Sequence, residues 1–170
     1  FIYGEENDKK QTYVRDVDVD TDIEMLIPDS YVTNINERLI LYTELDKIDS
    51  EESIQKFAAN LKDRFGTVPF QVEELFNGLR VRMVCKRLGF ERLVLKNRKM
   101  NCYFIANAQS VYFESKVFQS IMQYVAKEGH FSGLSMKQSN NYLIMTKENV
   151  KTLKEAQKIL QNVADAVIAV

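Results

Sequence analysis

The passage from Ser50 to Pro69 constrains the fold more than any other part of this chain, because it spells out a helix, its stop and the start of the next one. Ile54, Phe57, Ala58, Leu61 and Phe65 recur at i, i+3, i+4, i+7 and i+11, the spacing of one apolar stripe along a helix. Ser50 stands at the N-cap position, and Glu51 and Glu52 follow in the first turn, where carboxylates favour the positive end of the helix dipole. Gly66 supplies the left-handed conformation that ends a helix, and Pro69 has the fixed φ that suits the first turn of another. Asn60 and Asp63 project away from the stripe and face solvent or a partner. The run Asp63-Arg64-Phe65-Gly66-Thr67-Val68-Pro69 therefore marks an interaction module, not an active site.

Around this hairpin the pattern predicts an α+β chain. Residues 1–15 mix Gly4, Glu5, Glu6, Asp8 and Lys9 without periodicity and read as a tether from a preceding domain; residues 16–170 read as a single domain. Asp16 to Met25 alternates acidic or Thr with apolar residues, the period of a half-buried strand. Asn34, with Glu37 three residues on, resembles a capping box for a helix whose apolar face is Ile35, Leu39, Tyr42, Leu45 and Ile48. From Pro69 to Leu88, Val72, Leu75, Phe76, Leu79 and Met83 take one side and Val81, Val84 and Cys85 the other, so this helix should be buried on two sides. Gly89 closes it. Arg92–Lys96 with Asn101–Ala106, and Phe131–Lys137 with Tyr142–Thr146, read as strand pairs. Ser115–Glu128 and Asn149–Val167 read as helices. The expected fold is a three-helix N-terminal segment packed with short antiparallel strand pairs and a closing C-terminal helix.

Composition is ordinary for a globular protein, 45% hydrophobic and 28% charged. The chain begins with Phe, which suggests a fragment or processed product, and no stretch has the length of a membrane span; a cytoplasmic location is expected. Cys85 and Cys102 are far apart and read as buried, reduced thiols. His130, the single histidine, stands beside Gly129 as a C-terminal helix residue and builds no triad. No Gly-x4-Gly-Lys loop is present to cradle phosphates. The expectation is no catalytic residue, no metal site and no cofactor in this chain. Asp16, Asp18, Asp20, Asp22 and Glu24 lack the glycine and glutamate spacing of a calcium loop and read as a solvated or salt-bridged strand face.

Net charge is −1, yet the stretch Arg80 to Lys99 is basic. Arg80, Arg82, Lys86, Arg87, Arg92, Lys96, Arg98 and Lys99 are candidates for nucleic-acid contact. Arg80 and Arg82 fall on opposite flanks of their helix, which favours solvated charge over a single phosphate-binding face. A third reading, a small-molecule enzyme, would need a deep pocket with perturbed carboxylates.

Asn36-Glu37-Arg38-Leu39 followed by Tyr42, the Asp63 to Pro69 run, Arg80 to Gly89 with its Arg-Val-Arg and Lys-Arg-Leu-Gly pieces, and Leu26 to Val32 upstream stand in a telling order. Together they resemble the C-terminal module of bacterial transcription-repair coupling factors, over residues 16–100 in sequence and beyond that in element order. The resemblance implies a large parent protein: an ATP-driven double-stranded DNA translocase that displaces stalled RNA polymerase and recruits nucleotide excision repair. ATP and Mg²⁺ would belong to its motor domains. It implies that this module docks on the parent's N-terminal module, hides the surface used by the damage-recognition ATPase and restrains the motor. Asp63 matches an acidic docking position of the family; Asn60 stands where a Glu can stand, leaving Asp63 as the main ionic contact of a clamp that is looser, or is supplemented by neighbours such as Lys56 and Gln55. Leu39 and Tyr42 are fold residues by the same reading, with Arg38 pairing an acid on a neighbouring helix.

Overall fold

The computed structural model describes residues 13–168. In chain order the elements are β1 (Asp18–Thr21), α1 (Ile35–Asp46), α2 (Glu51–Phe65), α3 (Phe70–Leu88), β2 (Phe90–Lys96), β3 (Lys99–Phe104), a 3-10 turn (Val111–Glu114), α4 (Lys116–Ser132), β4 (Ser135–Ser139), β5 (Tyr142–Lys147) and α5 (Leu153–Ile168). The fold is α+β, with three helices ahead of the hairpins and a closing C-terminal helix.

Local chemistry sets most of the boundaries. Asn34, Ser50 and Ser115 each cap a helix by accepting from a backbone N–H three residues on: Glu37 at 3.1 Å, Ser53 at 3.1 Å and Phe118 at 3.2 Å. Gly89 ends α3 at φ 93°, a left-handed conformation that suits glycine. Asn97 and Arg98 both take positive φ, the backbone a two-residue hairpin turn requires between β2 and β3.

The strand pairs join into one sheet in the order β1-β2-β3-β5-β4. β3 pairs antiparallel with β5, with Cys102 opposite Met145, which links the two hairpins. β1 pairs parallel with β2, Asp18 opposite Arg92 and Thr21 opposite Leu95. Parallel neighbours need a long crossover, and here α1, α2 and α3 provide it.

α3 is the wall between two cores. Val72 and Phe76 face a helical core with Ile27, Val32, Leu41, Ile54, Phe57 and Leu61. Val81, Val84, Cys85 and Leu88 face a larger core made with the sheet, α4 and α5. The two-sided burial expected from its pattern is present. Leu61 and Leu88 are fully enclosed, and truncating such a leucine to alanine costs about 2–5 kcal/mol.

Several boundaries and one helix face differ from the sequence pattern. α1 buries Leu41 and Leu45, whereas Ile35 and Leu39, assigned to its core face, are 64% and 59% exposed. Apolar residues run most of the way around α1, so periodicity does not choose its inner side; the Tyr42 hydroxyl, bonded by the Ile27 N–H at 2.7 Å, helps fix the rotation. β1 is only four residues long, and Ile23 and Met25 pack on the larger core beyond it. α4 runs on through Gly129 and His130 to Ser132 and stops at Gly133, φ 78°. Phe131 thus sits in the helix, 85% exposed, and not in a strand. Gly66 takes φ 90°, ψ −163°, outside the left-handed helical well. The tether expected over residues 1–15 lies largely outside the described residues; of its last residues, Val14 is buried and Tyr13 packs edge-on to Tyr112 at 5.3 Å.

Candidate docking face

α2 presents Lys56, Asn60 and Asp63 on its solvent side because Ile54, Phe57 and Leu61 turn the other side into the helical core. Asp63 makes no side-chain hydrogen bond or ion pair with the described residues, and neither does Asn60. Lys56 differs: its Nζ lies 3.3 Å from Glu52 Oε1, one turn back. Gln55 likewise donates to Glu51 Oε1 at 2.9 Å. The two supplementary residues are therefore engaged within α2, and of the docking candidates Asn60 and Asp63 keep their polar groups unpaired among the described residues.

The end of α2 is held more firmly than its sequence suggests. The Tyr31 hydroxyl donates toward the Gly66 carbonyl at 2.8 Å, an oxygen the helix end leaves open, and lies 3.2 Å from the Leu61 carbonyl. Its ring packs on Phe65 with centroids 5.8 Å apart, and burial pushes its phenol above the ordinary value. The Arg64 guanidinium stacks over Phe65 at 4.7 Å while Nη2 bridges to Glu37 Oε1 of α1 at 3.4 Å. Tyr31 was missed in the sequence because it acts across 30 and 35 residues of chain. Arg38 pairs with no acid among the described residues; its Nη1 donates to the Val32 and Thr33 carbonyls at 2.7 and 3.3 Å, tying the loop before α1 to the helix.

The basic stretch divides. Arg80 binds Glu51 bidentately, both bonds 2.9 Å, and donates to Asn77 Oδ1 at 2.9 Å, linking α3 to the start of α2. That hydrogen bonding holds the Glu51 carboxyl below its ordinary value. Arg92 reaches Asp18 and Asp20, Lys96 reaches Asp20 at 3.1 Å, and Lys99 reaches Glu148 at 3.6 Å. Lys96 is the main cause of the lowered Asp20 carboxyl. Asp22 accepts from the Asn97 N–H at 2.9 Å. The acidic row of β1 is thus answered by the cations and turn of its neighbours. Arg82, Lys86, Arg87 and Arg98 are exposed and carry no ion pair with the described residues. Arg82, Lys86 and Arg87 border an open groove of about 1970 Å³ together with Lys116 and Lys154, but Asp46, Asp49 and Glu114 border it too. The eight candidates do not form one phosphate-binding face.

Cys85 and Cys102 are buried, and burial pushes both thiols far up. Among the described residues no cluster of three or more His, Cys, Asp or Glu side chains could hold a metal ion, and no helix is long and apolar enough to cross a membrane.

These features define an α+β domain organised about a two-sided central helix, with its candidate residues on open surface. The chain belongs to the TRCF domain family, whose model matches residues 21–115. It is similar to the transcription-repair-coupling factor of Rickettsia bellii, 24% identical over 144 residues, covering 84% of this chain and 12% of that protein. The transcription-repair-coupling factor of Escherichia coli K12 is 26% identical over 90 residues, covering 53% of this chain and 8% of that protein. The chain thus spans about a tenth of the length of such relatives. Its fold is that of a crystal structure of the C-terminal domain of a transcription-repair coupling factor, TM-score 0.70 at 16% identity, covering 91% of this chain and 95% of that one. The likeness in fold extends past residue 115, where the family match in sequence ends.

Proposed function

We propose that this chain is the regulatory C-terminal module of a transcription-repair coupling factor, acting in transcription-coupled DNA repair by docking on the N-terminal module of the same parent. Docked, it masks the surface that recruits the damage-recognition ATPase and restrains the motor. The parent is an ATP-dependent double-stranded DNA translocase that displaces stalled RNA polymerase in the cytoplasm; ATP and Mg²⁺ bind in its motor domains, and this module performs no catalysis. The observation that carries the reading is Asp63, an exposed carboxylate without a partner among the described residues; by the resemblance it stands at an acidic docking position of the family. A single exposed ion pair contributes only about 0–1 kcal/mol, but a tether that holds the modules at about millimolar effective concentration lets weak contacts operate a switch.

The test is binding of this chain to the N-terminal module of its parent at low and moderate salt. Wild type should bind in a salt-sensitive manner and Asp63→Arg should lose that binding. No binding by wild type, together with salt-dependent binding to duplex DNA, would favour the rival in which the unpaired Arg82, Lys86 and Arg87 contact nucleic acid.

A further inference from the structure

α1 and α2 form an antiparallel pair, since the Glu37–Arg64 bridge joins the start of one to the last turn of the other. One turn from that bridge along each helix stand Ile40 on α1 and Asn60 on α2. At about 100° per residue, Ile40 lies about 60° from Glu37, turned away from buried Leu41 and Leu45, and Asn60 lies about 40° from Arg64. Ile40 is 59% exposed. Leu39 is equally exposed, but it lies about 160° from Glu37, on the flank it shares with Ile35. The two neighbours in sequence thus belong to different surfaces, and only Ile40 borders the face that carries Asn60 and Asp63.

We propose that Ile40 is the apolar anchor of the docking face, received by an apolar recess ringed by cationic side chains on the parent's N-terminal module. The inference rests on the docking reading above and deepens it. Interfaces draw most of their energy from a few desolvated anchors inside a polar rim, and an exposed carboxylate alone supplies little. Asp63 provides the acidic rim and sets the sign of the partner's charge. Asn60, beside the anchor, is a neutral amide whose desolvation costs far less than that of a carboxylate. Its lack of charge is therefore suited to the centre of a face that excludes water.

Three variants of this chain are compared for affinity to the N-terminal module: Ile40→Ser, Leu39→Ser and Asp63→Arg, with thermal unfolding as a check, since neither apolar residue is buried. Ile40→Ser should weaken binding at least tenfold and leave the salt dependence of the remaining binding intact, Leu39→Ser should bind as wild type does, and Asp63→Arg should lose the salt-sensitive binding, as above. Wild-type binding by Ile40→Ser, with Asp63→Arg impaired, would overturn the anchor and leave the docking reading standing. Equal loss in Ile40→Ser and Leu39→Ser would also overturn it, because the flank would not matter. If wild type itself does not bind, the docking reading fails and the anchor fails with it.

Discussion

The Tyr112 hydroxyl donates to the Leu88 carbonyl at 2.6 Å, where α3 ends, and its ring lies against Gly89, filling the space a side chain there would need. The rings of Tyr13, Phe104, Phe113 and Phe118 pack around it. Tyr112→Phe removes the donor and leaves a buried carbonyl unsatisfied, so it should lower unfolding free energy by about 1–3 kcal/mol. Gly89→Ala should cost more, because the new Cβ meets the ring and the residue must also keep φ at 93°. Urea denaturation of both variants checks the order; a Gly89→Ala protein as stable as wild type would show that this junction is not rigid. Gly89 as a helix stop was legible in the sequence, since a local backbone requirement dictates it. Tyr112 was not, because its partner lies 24 residues away.

At the scale of elements the same division holds. The caps at Asn34 and Ser50 and the two-sided α3 could be read because they depend on neighbours within a few residues. The rotation of α1 and the joining of β3 to β5 could not, because tertiary contacts decide between faces that periodicity leaves equivalent. Glu74 is the plainest case: a carboxylate in the second turn of the two-sided α3, it is 1% exposed. Its Oε2 accepts from the Leu153 N–H at 2.9 Å and its Oε1 from Asn77 Nδ2 at 3.0 Å, so the first turn of α5 is seated on α3. Glu74→Ala strands both donors, and a loss of about 1–3 kcal/mol is expected. Glu52→Ala on the exposed face of α2 should change stability by about 0.5 kcal/mol or less. Similar values for the two in chemical denaturation would mean that α5 does not depend on this seat. The exposed face of α2 was more legible than the basic stretch for a related reason. Exposure of Asn60 and Asp63 follows from the stripe opposite them, whereas the engagement of Arg80 by Glu51 spans 29 residues.

For the whole molecule, residues beyond the sequence-family match are structural partners of those within it. Ile121, Leu153, Leu160 and Val163 are fully enclosed in the core shared with the sheet and α3. A chain ended at Ser115 loses these residues and the β5 partner of β3, so it should show no cooperative thermal transition by circular dichroism. A sharp transition near the wild-type midpoint would show that the first part folds alone. The parallel edge of the sheet adds a mechanical consequence. The chain enters β1 at Asp18 and leaves it at Thr21 for the lobe of α1, α2 and α3, which returns at Phe90. Tension between the segment before β1 and that lobe is therefore carried along β1 from end to end. Such a pull loads the β1–β2 hydrogen bonds side by side, in shear, with the Thr21 Oγ1 bond to the Leu95 carbonyl at 2.8 Å as one more rung. A lobe fastened in this way resists being drawn off the sheet one bond at a time.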